Sequence, residues 1–261
     1  MSHRIPAVLI FSGLDPSGGA GIQADIEALA SQGCHACPLI TILTTQDTVD
    51  VKNTVSAELI KDQARTVLDD IPVAAVKIGL VDSTDIIEAI HGILTDLPDI
   101  PVILDPVLAS GADTAFAGQD VQSAIRELLI PLTTVLTPNS REARQLAPQA
   151  DTLDACAMSL LDDGSEFVLI TGTHEPGEKV TNTLYTNHRK LEEFHWPRLP
   201  GEHHGSGCTL ASSIAGLLAQ GNEPLSAIHE AQEYTWQSLQ HGYRIGRGQY
   251  IPNRIFWATN N

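Results

Sequence analysis

The sequence predicts an α/β protein with three layers, helices covering both faces of a mostly parallel central sheet. Three observations predict it: short β-branched apolar runs, longer amphipathic stretches alternating with them, and unusual polar or glycine-rich motifs where those runs end. The runs "AVLIFS" (7–12), "CPLITILTT" (37–45), "AAVKIG" (74–79), "VILDPV" (102–107), "TTVLTPN" (133–139) and "FVLITG" (167–172) read as buried strands. Helical spacing falls between them, over 20–32, 56–70, 83–95, 119–129 and 139–147. The pattern then changes to polar alternation around "TNHRK", the signature of a hairpin within 180–196, and two more helices follow over 207–220 and 224–244. No repeat or low-complexity linker interrupts the chain, so one domain over residues 1–261 is expected.

Composition bounds the partners. At 43% hydrophobic residues the chain carries enough apolar material for a sizeable core, and its formal charge of −17 opposes bulk attraction to nucleic acid or an anionic membrane. An anionic ligand must then be held locally, by backbone amides, a few cations or a metal. No apolar stretch reaches membrane-spanning length. Four unevenly spaced cysteines, with no leader pattern at the N-terminus, lead us to expect a reducing cytoplasm.

In an open parallel sheet ligands bind outside the carboxyl ends of the strands, and that is where the motifs cluster. "GLDPSGGAGIQAD" (13–25) opens a helix with glycines that let a ligand approach the backbone. It lacks the lysine of a phosphate-binding P-loop and the spacing of a dinucleotide fingerprint. Asp105 ends the "LDPV" strand, and Asn139 and Glu142 lie three apart as a helix begins. These oxygen ligands suit Mg²⁺, while Asn139 and Glu142 also read as a helix capping box. "HGSGC" puts Gly205, Ser206 and Gly207 before a helix, so their amides can converge on an anion, with Cys208 beside it. A thiol there is expected to have its pKa lowered toward neutrality and to accept a proton from an attacking hydroxyl. A cysteine–histidine nucleophile using His203 or His204 is the rival chemistry, and a zinc site lacks a fourth ligand. "CHAC" (34–37) and Cys156 read as small core residues. Gln46 can donate and accept, which suits an amino heterocycle.

Taken in order, "GLDPSGGAGIQAD", "LTTQDT", "KIGL", "LDPV", "LTPNSREA" and "HGSGCT" resemble the ribokinase superfamily, more narrowly its hydroxymethylpyrimidine and phosphomethylpyrimidine kinases. A cysteine at position 208, where most sugar kinases of the superfamily carry aspartate, is typical of the pyrimidine kinases and some pyridoxal kinases. The resemblance implies a ribokinase-like fold and ATP-dependent phosphorylation of a small hydroxymethyl heterocycle. It implies Cys208 as catalytic base with an anion hole at Gly205, Ser206 and Gly207. Substrate contacts would come from Gln46, Asp25, Gly13, Ala20, Leu80 and Val107. Asn139, Glu142, Thr171 and Gly172 would serve ATP, and Asp105 and Glu142 would hold Mg²⁺. A homodimer is implied by the same analogy. The chain departs from the family in Ser206, usually threonine, in Leu80, often methionine, and in "TGTH" (171–174), commonly lysine-glycine-glycine-histidine. A pyridoxal kinase, a non-catalytic sensor of the pyrimidine or nucleotide, and a cysteine hydrolase remain the alternatives.

Overall fold

The computed structural model describes residues 5–43, 55–108 and 118–258. Eight strands form one sheet in the order β2-β1-β3-β4-β5-β6-β7-β8. These are β1 (Ala7–Leu14), β2 (His35–Leu43), β3 (Val73–Ile78), β4 (Val102–Leu104), β5 (Val135–Leu136), β6 (Phe167–Ile170), β7 (Lys179–Thr186) and β8 (Arg189–Pro197). The first six run parallel, and β7 and β8 add an antiparallel hairpin at one edge. Its two-residue turn, Asn187 and His188, holds both residues at positive φ, 49° and 54°, the twist that matches the flanking strands.

Alternation along β1 and β3 sorts the core into two layers. Leu9, Phe11, Val76 and Ile78 face α2 (Ala57–Asp70), α3 (Thr84–Thr95), α4 (Gln119–Ala124), α5 (Ser140–Leu146) and α6 (Leu153–Asp162). Val8, Ile10 and Ala75 face α1 (Gly21–Ser31), α7 (Ser206–Ala219) and α8 (Pro224–Gln240). Every side chain of β1 from Ala7 to Leu9 and on to Phe11 is 5% exposed or less, as a strand covered on both faces requires. Cys34, Cys37 and Cys156 are buried free thiols, as their apolar settings suggest.

The sequence extends the last helix to residue 244, but α8 stops at Gln240. Gly242 bends the chain so that Tyr243 pairs with Ile251, and a Cβ at Gly242 would sit 2.9 Å from the Leu239 carbonyl oxygen. The chain then returns under α7 and α8, with Asn253 N–H donating to the Ser238 carbonyl at 2.9 Å.

Candidate active site

From β1 the chain moves to β2 on one side and then crosses to β3 on the other, so the strand order reverses between β1 and β3. A cleft of about 640 Å³ opens at the carboxyl ends there, lined by Gly13, Ala20, Leu80, Asp105, Asn139 and Cys208 among others.

One wall is the loop from β1 to α1. Asp15 organises it: Oδ1 accepts from Ser17 N–H at 2.9 Å, and Oδ2 accepts from Ser17 Oγ at 2.8 Å and Ala20 N–H at 2.9 Å. Asp15 Oδ2 also pairs with His204 Nε2 at 2.8 Å, tying this loop to the turn before α7. Burial raises the Asp15 pKa, but these hydrogen bonds, that of His204 foremost, overrule it and hold the carboxyl below its ordinary range.

The facing wall is that turn. Gly205 has φ of +85°, and a Cβ there would collide with the Gly19 carbonyl oxygen. Only glycine combines this backbone with so close an approach. Among the described residues α7 has no side-chain cap, so its first amides open toward the cleft. The start of α5 is different. Asn139 Oδ1 accepts from Arg141 and Glu142 N–H, both at 2.9 Å, and Glu142 Oε2 accepts from Asn139 N–H at 2.9 Å. The capping-box reading of Asn139 and Glu142 is therefore realised.

Beneath the cleft lies a group of buried charges. Lys77 shares the face of β3 that carries Ala75, so its side chain enters the layer of α1 and α7. Its Nζ meets Asp25 Oδ1 at 2.9 Å and Oδ2 at 3.0 Å, both side chains fully buried. Ser212 Oγ donates to Asp25 Oδ1 at 2.7 Å. Burial alone would lower the Lys77 pKa, yet Asp25, then Cys208 and Asp105, drive it above its ordinary range. Burial, with Asp25 adding to it and Lys77 opposing, pushes the Asp105 carboxyl up to about 6, and Asp105 Oδ2 has no hydrogen-bond partner among the described residues. Burial and then Asp105 push Glu142 up to about 8.

Cys208 corrects one expectation. Burial of its sulfur, reinforced by Asp25 and Asp105, pushes the thiol up to about 12, against Lys77 and the Gly21 N–H that lower it. Desolvation beside two carboxylates outweighs the open helix end, so the thiol is protonated at rest.

Of the expected site residues, Gly13, Ala20, Leu80, Val107, Asp105, Asn139, Glu142, Thr171, Gly205, Ser206, Gly207 and Cys208 all line the cleft. Asp25 does not. It is buried behind the wall, where Lys77 and Ser212 engage its oxygens. Gly172 is also set back: its N–H donates to Asn182 Oδ1 at 3.1 Å, and a Cβ there would collide with the Thr181 carbonyl. Gln46 lies outside the described residues. Histidine chemistry at the thiol finds no support, since His204 pairs with Asp15 and His203 stacks on Tyr250 with ring centroids 5.4 Å apart. Among the described residues no cluster of three or more histidine, cysteine or acidic side chains converges on a metal. The residue that sequence reasoning missed is Lys77. Its signal was a lysine inside the buried strand "AAVKIG", where a charge demands an acidic partner.

Comparisons with known proteins agree on the class of molecule. The family model for phosphomethylpyrimidine kinase matches residues 15–253. The chain is 36% identical to the hydroxymethylpyrimidine/phosphomethylpyrimidine kinase of Streptomyces coelicolor, over 93% of this chain and 92% of that protein. It is 35% identical to the chloroplastic thiamine biosynthetic bifunctional enzyme of Arabidopsis thaliana, over 98% of this chain but only 51% of that larger protein. Among solved structures, an ADP complex of Bacillus subtilis pyridoxal kinase superimposes with a TM-score of 0.87 at 27% identity, covering 97% of this chain and 99% of that one.

Proposed function

The chain belongs to the phosphomethylpyrimidine kinase family and is a phosphotransferase of thiamine biosynthesis, and from that premise we propose its substrates and the roles of its residues. The proposed reaction moves the γ-phosphoryl group of ATP to 4-amino-5-hydroxymethyl-2-methylpyrimidine, and a second one to the resulting monophosphate. The observation that carries this reading is the uncapped start of α7 at the topological switch point, with Cys208 in its first turn and the orphaned Asp105 Oδ2 against it. A Cβ at Gly207 would stand only 3.4 Å from that oxygen.

In this reading the ring lies against Gly13, Ala20, Leu80 and Val107, and the nucleotide occupies the part of the cleft lined by Thr171, Asn182, Trp196, Gln232 and Trp236. Gln46 reads the amino group of the pyrimidine. Charge spreads over the phosphoryl oxygens during transfer, and the amides of Gly205, Ser206 and Gly207 stabilise it without reorganising. Cys208 takes the proton of the attacking hydroxyl. For that the sulfur must first become thiolate, and Lys77 is the buried cation that favours the change, while Asp25 and Asp105 oppose it.

Asp105 and Glu142 fit Mg²⁺, which accepts few protein carboxylates and keeps water and phosphate oxygens as its other ligands. The unpartnered Asp105 Oδ2 is the buried oxygen that such an ion would engage, and Glu142 is close enough for the Asp105 charge to help raise its carboxyl. When bound, the ion would supply positive charge to the polyphosphate. The missing cation at position 171 leaves the backbone wall beyond β6 to hold the nucleotide. That wall is fixed by Arg198, whose guanidinium donates to the carbonyls of Thr173, Glu175 and Gly177 at 2.7–2.8 Å.

The closeness of fold to a pyridoxal kinase supports a second acceptor, pyridoxal, for the same turn. A substrate panel with ATP decides: ADP release with the hydroxymethylpyrimidine, and a product heavier by one and then two phosphates, is expected. Turnover with pyridoxal alone would reassign the acceptor, and binding without ADP release would make the protein a sensor. Cytoplasmic location is supported by four free thiols, three of them buried. A homodimer rests on the family likeness, and sedimentation of the purified chain tests it.

A further inference from the structure

The C-terminal return under α7 contributes a guanidinium that no part of the proposed mechanism uses. Arg254 is 1% exposed, and each arm of its side chain ends on a different part of the cleft's framework. Its Nη2 donates to the Gly19 carbonyl at 2.5 Å, on the loop between β1 and α1. Its Nε donates to Thr209 Oγ1 at 2.9 Å, on the residue after Cys208. Its Nη1 meets Glu27 Oε2 at 3.0 Å, on α1. Thr209 Oγ1 passes the contact on, donating to the Gly205 carbonyl at 2.7 Å. The main chain of Arg254 is itself held, its carbonyl accepting from the Tyr234 hydroxyl at 2.7 Å.

We propose that Arg254 is a positioning residue for phosphoryl transfer, locking the turn Gly205-Ser206-Gly207 onto the loop that carries Gly19. The inference rests on the kinase reading of that turn and adds to it a specific source of rigidity. The geometry is close-fitting: Gly205 stands against both the Gly19 carbonyl and the guanidinium, a Cβ there lying 2.8 Å from Arg254 Nη2. A planar fork can satisfy a carbonyl, a hydroxyl and a carboxylate at once, whereas a lysine would reach only one or two of them. A turn free to shift would still bind both substrates, but its amides would miss the transferring oxygens. The cost of such a misplacement falls on kcat.

The test measures kcat and KM for ATP and the hydroxymethylpyrimidine in Arg254→Met, Arg254→Lys and Thr209→Val, with each variant's fold checked by circular dichroism. For Arg254→Met we expect kcat lower by on the order of 100-fold, with both KM values moved by less than about threefold. Arg254→Lys should recover part of the loss. In Arg254→Ala, millimolar guanidinium ion should raise kcat while leaving the wild type unaffected. Should the large change at 254 prevent folding, Thr209→Val carries the test alone: it removes the hydroxyl that accepts from Arg254 Nε and donates to the Gly205 carbonyl, leaves the contacts to Gly19 and Glu27, and should lower kcat by about tenfold. A folded Arg254→Met or Thr209→Val with kcat within about twofold of wild type would overturn the proposal, as would a loss confined to KM. Gly207→Ala separates the two levels of inference. If it abolishes turnover while the Arg254 variants remain active, only the positioning role fails. If it and the wild type turn over alike, the anion turn itself is misread and the role of Arg254 falls with it.

Discussion

Replacing Lys77 with methionine keeps the volume of the side chain and deletes its charge, leaving Asp25 buried with Ser212 as its remaining partner among the hydrogen bonds described. An uncompensated buried carboxylate destabilises a protein by about 3–5 kcal/mol. We therefore expect K77M to be less stable by about 4 kcal/mol at pH 7. Urea unfolding of the ligand-free protein measures this, and a thermal scan should show a drop of roughly 8–16 °C. Adding D25N removes the stranded charge, so the double variant should recover at least about 2 kcal/mol at pH 7. A K77M deficit below about 1 kcal/mol, or a double variant whose losses simply add, would refute the buried pair as described.

Other perturbations probe the remaining charges. Glu142 has its carboxyl raised to about 8, so the native state keeps a proton that the unfolded chain releases, and stability falls as pH rises from about 4.3 toward 8. E142Q in chelator-treated protein should gain stability over wild type across that window, and unfolding midpoints that stay parallel from pH 5 to 9 would contradict the shift. Asp15 has the opposite sign: a depressed carboxyl stabilises above its unfolded pKa of about 3.9 and loses that contribution on acidification. D15N should therefore be less stable than wild type at pH 6 by about 1–2 kcal/mol, with the two converging below pH 3. Equal stability at pH 6 would remove Asp15 as the organiser of the loop.

Much of this arrangement was legible in the sequence because it depends on periodicity and strand ends. The runs from "AVLIFS" to "FVLITG" are near-continuous apolar stretches with few polar interruptions, as strands covered on both faces require, and the hairpin announced itself by its change to alternation around Asn187. The glycine at 205 marked a backbone approach that the structure does use. What escaped were properties set by pairing across long sequence separations. Asp25 reads as a polar residue near a glycine loop, and nothing local says that Lys77 captures it from behind the cleft wall. Cys208 at a helix start suggests an acidic thiol, a rule learned from solvated sites. Here burial, reinforced by Asp25 on α1 and Asp105 just after β4, reverses it. Arg254 sits in a C-terminal segment with no periodicity, and its importance appears only once the chain has folded back under α7.

The decisive measurement concerns the sulfur of Cys208. Single-turnover phosphorylation of the hydroxymethylpyrimidine should slow by about 10²–10⁴-fold in Cys208→Ala, with calorimetric affinity for the pyrimidine and for ATP left near wild type. A variant that transfers phosphate at the wild-type rate would show that the proton leaves by another route, and the reading of the α7 turn as the catalytic centre would fail with it.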